Sequence, residues 1–104
     1  MLIVLTTTPT TEEAETLAEK IVEAKLAACV QILPQMNSVY VWEGKIQKEP
    51  EHLLLFKTLS EKWEELRDYI AANHSYDVPE IVAIDVEKVS EPYSAWLKSV
   101  MCEQ

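Results

Sequence analysis

This 104-residue chain is short of several things, and each shortage excludes something. It has a single glycine, so it cannot build the glycine-rich loop that cradles phosphates, and flexible Gly/Ser linkers are ruled out. Two cysteines, Cys29 and Cys102, lie far apart without CxxC spacing. A disulfide framework is therefore not expected; free thiols in a reducing, cytoplasmic setting are. Basic residues are scarce, nine against eighteen acidic, which leaves a net charge of −9. Nucleic acid and anionic membrane surfaces both need clustered Lys and Arg, so neither is an expected partner. The surplus of carboxylates favours cations and, more simply, solubility. Long hydrophobic runs are also missing. Met1-Leu2-Ile3-Val4-Leu5 turns polar at Thr6 and has no basic flank, which fits neither a signal peptide nor a membrane span.

What remains is ordinary globular composition, enough for one domain over residues 1–104. Residues 2–6 form a β-branched and leucine run, read as a strand buried on both faces. Thr10-Thr11-Glu12-Glu13 is a capping box, and Ala14, Leu17, Ala18, Ile21 and Val22 follow at helical spacing. Leu26 to Ile32 changes to strand character, and Pro34 marks an edge or bend. Ser38 to Trp42 alternates, Glu43-Gly44-Lys45 supplies a reversal, Pro50 interrupts the return, and His52 to Thr58 is the next strand. Ser60 is expected to cap a second helix with Trp63, Leu66 and Ile70 on its stripe. Ile81 to Val86, nearly continuous in apolar residues, reads as a central strand. Ser90-Glu91-Pro92 opens a last helix whose stripe is Tyr93, Trp96, Leu97, Val100 and Met101. Trp63 and Trp96 are expected in the core.

The resulting order is an α+β, ferredoxin-like βαββαβ domain, a four-stranded antiparallel sheet with a long bent β-hairpin and an extra C-terminal helix. Helices on one face leave the other face of the sheet open. That face, with Tyr40 and Trp42 on the hairpin, is more apolar surface than a monomer should expose, so other copies of the chain are the expected cover.

Chemistry-bearing residues concentrate in Asn73-His74-Ser75-Tyr76-Asp77-Val78-Pro79-Glu80, between a helical and a strand pattern. His74 is the candidate metal ligand, since imidazole suits copper and zinc. A closed site needs three or four ligands, and Glu80, Asp77, Cys29 or His52 are the candidates to join it. Cys29, between Ala28 and Val30, otherwise reads as a small hydrophobe. For catalysis, His74 would need Tyr76 or Glu80 as partner and Lys57 as an electrophilic group, yet no activated nucleophile is identifiable, so no catalytic residue is expected. A third reading is a ligand cleft between subunits lined by Trp42, Glu51, Lys57, His74, Tyr76 and Glu80.

Five segments resemble the CutA family of divalent-cation tolerance proteins: Leu26 to Val30, Ser38 to Lys45, Lys57-Thr58, His74 to Ile81 and Tyr93 to Leu97. The resemblance implies a ferredoxin-like domain in a tight homotrimer, similar to PII-type signalling proteins, with the hairpin reaching onto a neighbour. It also implies tolerance to copper or another divalent cation, with no obligatory cofactor. The ligands of some bacterial members, a cysteine ending the first strand and a histidine pair, fall here on Thr6, Asn73 and His74. Only His74 keeps a ligating side chain. Ser75 also stands in place of the usual proline, and Asp77 in place of a common glutamate.

Overall fold

The first strand, β1, spans Leu2–Thr8, two residues beyond the apolar run. Its side chains alternate between faces. The computed structural model, which describes residues 1–102, continues with α1 (Thr11–Glu23), β2 (Cys29–Ile32), β3 (Met36–Trp42) and β4 (Lys45–Thr58). A 3-10 turn over Ser60–Lys62 then leads into α2 (Trp63–Asn73), β5 (Val82–Asp85) and α3 (Glu91–Met101). No helix among the described residues is long and apolar enough to cross a membrane.

The sheet order is β2-β4-β1-β5, all neighbours antiparallel, with β3 paired to the first half of β4. This is the expected ferredoxin-like arrangement with one more strand. Pro34 lacks the N–H that would carry the ladder onward, so the chain breaks into β2 and β3. Pro50, expected to interrupt the return strand, does not; β4 runs unbroken past it. β1 reaches only as far as His52, which leaves the edge of β4 facing away from β3 unpaired at Pro50.

Thr10 caps α1, its hydroxyl accepting the Glu13 N–H at 3.1 Å. The helix ends with Lys25 in the left-handed region at φ 59°, where the Leu26 N–H reaches back to the Ile21 carbonyl at 3.0 Å. That closure normally takes glycine, and here a lysine fills the position. Leu26 and Ala27 are consequently buried turn residues, and the strand starts only at Cys29. Ser60 makes no side-chain cap, contrary to expectation, and opens the 3-10 turn instead. Glu43 and Gly44, both at positive φ, form the hairpin turn.

The core lies between one sheet face and the two main helices. Leu2, Val4, Leu54 and Phe56 meet Ala14, Leu17 and Ile21 of α1 and Leu66 and Ile70 of α2. Trp63 packs against its margin. Val22, assigned to the α1 stripe, is largely exposed. The buried residues of α3 are Leu97 and Met101, while Trp96, expected in the core, is 43% exposed.

The opposite sheet face carries Ile3, Leu5, Leu53 and Leu55, continued onto β5 by Ile84 beside Ile3 and Val82 beside Leu5. β5 was expected to be central. It is an edge strand, with all four residues exposed, Val82 at 46% and Ile84 at 50%. A continuous apolar run records that a strand is covered without saying by what, and this chain offers no cover.

Candidate functional site

Helix α2 ends at Asn73, and His74 takes an extended conformation that turns the chain back under β1. The His74 side chain is completely buried. Its Nε2 lies 2.7 Å from the Thr7 carbonyl oxygen, which can only accept, so Nε2 carries the proton and donates. Nδ1 is then the acceptor and takes the Tyr76 backbone N–H at 3.0 Å. Neither nitrogen keeps a lone pair for a metal. In this arrangement His74 anchors the loop through both ring nitrogens.

Glu13 completes the anchoring. In a full capping box its carboxylate would return to the Thr10 N–H. It instead reaches across to accept the Ser75 hydroxyl at 2.7 Å and the Ser75 N–H at 3.0 Å. The first turn of α1 thus fixes the loop sixty-two residues downstream.

With the loop fixed, the Tyr76 hydroxyl donates to Glu51 Oε2 at 2.7 Å, and the Thr7 hydroxyl donates to the same oxygen at 3.2 Å. Burial first, then the hydrogen bond to Glu51, raises the Tyr76 pKa well above the ordinary phenol value, so the hydroxyl remains a donor. Glu51 is only 7% exposed. Above these groups a cavity of about 720 Å³ opens. Thr7, Glu51 and Tyr76 contribute to its lining, with Ser38, Tyr40 and Trp42 from β3 and Ser75, Asp77 and Glu80 from the loop.

Of the residues expected to share a cleft, Trp42, Glu51, Tyr76 and Glu80 line this cavity together, while His74 sits behind it. Lys57 does not join them. It lies six positions from Glu51 along β4, ~20 Å at ~3.3 Å per residue, with its Nζ 5.4 Å from the centre of the Tyr93 ring. Cys29 pairs with Lys57 at that distant end. His52 is held between the Leu33 carbonyl at 3.2 Å and the Thr11 hydroxyl at 3.1 Å. Among the described residues no three His, Cys, Asp or Glu side chains come together to hold a metal ion. Thr6 is fully buried with its hydroxyl unpartnered. Sequence reasoning missed Thr7, Ser38 and Glu13. Thr7 alternates with Thr6 and Thr8 and so had to face the open side, but only the true length of β1 reveals this.

Fold and site together define a small ferredoxin-like α+β protein with a projecting hairpin and an acidic, aromatic cavity at the hairpin's root. The chain belongs to the CutA1 divalent ion tolerance protein family, whose model matches residues 2–100. It is 46% identical over 98 residues to the chloroplastic protein CutA of Arabidopsis thaliana, covering 94% of this chain and 54% of that protein. With the divalent-cation tolerance protein CutA of Thermus thermophilus it shares 42% over 96 residues, covering 92% and 93% of the two chains. The chain thus spans about half the length of the plant relatives and nearly all of the Thermus one. Among solved structures, CutA1 from Pyrococcus horikoshii superposes with a TM-score of 0.94 at 38% identity, covering 99% of this chain and 100% of that one. The periplasmic divalent cation tolerance protein CutA of Archaeoglobus fulgidus gives 0.93 at 40% identity, covering 97% and 99%.

Proposed function

We propose that the chain works as a cytoplasmic, non-enzymatic homotrimer of the divalent-cation tolerance class, with its working clefts at the hairpin roots where subunits meet. The uncovered apolar face formed by Ile3, Leu5, Leu55, Val82 and Ile84 carries this reading. So much unpaired β-sheet surface is stable in water only when another surface excludes the water. Identical copies supply one by closed symmetry, and the exposed hairpin gives each copy an arm long enough to reach its neighbour.

A divalent cation is the ligand that the names of the relatives suggest, and copper, at the head of the divalent affinity series, is the ion to try first. In this chain such an ion would meet the carboxylates of Glu51, Asp77 and Glu80 rather than His74, and its binding would be weak in one protomer. The cavity's size favours a second reading, a PII-like signalling trimer that binds a small molecule there and meets metal only incidentally.

Titration calorimetry with copper and zinc separates the routes. Glu51→Gln combined with Glu80→Gln is expected to weaken copper about tenfold, because charge count sets the affinity of oxygen sites. His74→Ala, checked to be folded, is expected to give the wild-type isotherm. Loss of copper heat in His74→Ala alone would overturn the assignment.

A further inference from the structure

We propose that the cavity at the hairpin root binds an organic cation, an ammonium or guanidinium group carried on an apolar body. The proposal rests on the reading of this cavity as the working site and names the chemistry it selects. Three features of the lining point the same way. The first is charge. Glu51, Asp77 and Glu80 face the cavity, and among the described residues no lysine or arginine lines it.

The second feature is the state of Glu51. Glu51 as a residue is more than nine-tenths buried, and both hydrogen bonds to its carboxylate fall on Oε2, from Tyr76 and Thr7. Among the described residues Oε1 has no hydrogen-bond partner and the carboxylate has no cationic one. A buried carboxylate wants a charge-assisted donor at that oxygen, and an N–H⁺ group is the natural one. The Tyr76 and Thr7 hydroxyls hold the carboxylate in place, so little ordering is left to do when the ligand arrives.

The third feature selects an organic cation over a metal ion. Tyr40, Trp42 and Tyr76 supply aromatic surface, which attracts cations that shed water easily and packs against an apolar body. A divalent metal needs several converging ligands, and the described residues do not converge. A space of about 720 Å³ also suits a small molecule rather than a bare ion.

The test is a calorimetric titration of the assembled protein with phenethylamine and benzylguanidine, both cationic with N–H donors at neutral pH, beside neutral benzyl alcohol and anionic 3-phenylpropanoate. Both cations are expected to bind, and neither control. Glu51→Gln should weaken the cations about tenfold or more. Trp42→Leu, at a wall exposed in the single protomer and checked by sedimentation to keep the assembly, should weaken them about two- to fivefold. Asp77→Asn, on the exposed rim, gives a variant whose folding is not at issue and should weaken both cations measurably. Equal binding of benzyl alcohol, or no cation binding at all, would overturn the proposal. If the amines give no heat while copper still responds to Glu51→Gln, the organic cation falls and the cavity remains a site. If neither probe responds to Glu51→Gln, both readings fall together.

Discussion

Val82→Asp combined with Ile84→Asp is expected to turn the proposed trimer into a folded monomer. Both side chains lie half exposed on edge strand β5, so within one protomer the change touches no packed core. Surface changes of that kind cost within about 0.5 kcal/mol each. In the proposed trimer the same positions would be covered, and each apolar side chain there would contribute ~1.5–3 kcal/mol by leaving water. An unpaired carboxylate in its place adds a desolvation penalty of several kcal/mol. The penalty recurs in every subunit, so the association should be lost while the far-ultraviolet circular dichroism stays native. Sedimentation velocity reads the outcome, and an unchanged trimer peak would show that the apolar face is not the interface.

His74→Ala is expected to have the second largest effect, on stability rather than on metal. The substitution removes the donor to the Thr7 carbonyl and the acceptor of the Tyr76 N–H. A buried polar group left without a partner costs ~1–3 kcal/mol, so the two together approach ~2–5 kcal/mol. For a domain this size the loss lowers the melting temperature on the order of 10–20 °C. His74→Gln, whose amide offers a donor to the same carbonyl, should lose less. Thermal unfolding followed by circular dichroism checks both variants. An unchanged melting temperature would mean that the imidazole is not the anchor the two hydrogen bonds describe.

How far the sequence reached depended on the range of the interaction concerned. Local chemistry was readable. Thr10 caps α1 through a residue three positions away, and Glu43-Gly44 turns the hairpin with the positive φ that glycine permits. Side-chain spacing also placed Leu66 and Ile70 correctly, because one stripe of a helix must face the sheet. Patterning failed where it had to say who covers a surface. Val82, Ile84 and Trp96 are apolar in the sequence and exposed in the protomer, since hydrophobicity records the need for cover and not its source.

The site was legible as a place and not as an arrangement. Trp42, Glu51, Tyr76 and Glu80 do line one cavity, but Lys57 was drawn to them only by chemical type. Its position along β4 settles the matter, because six extended residues separate it from Glu51. His74 looked like a ligand because imidazoles often are. Its partners, Thr7 and Tyr76, became visible only once β1 and the loop were set side by side, Thr7 and His74 being sixty-seven positions apart. Glu13 shows the same limit. The capping box was correctly located, yet its glutamate had a better use at Ser75.

The covering of the open sheet face and the clefts at the hairpin roots both depend on assembly. Sedimentation equilibrium of the wild-type protein at micromolar concentration tests this most directly. The expected result is a single species of three times the 11.9 kDa chain mass, stable on dilution. A stable monomer at that concentration, with its apolar face in water, would contradict the account.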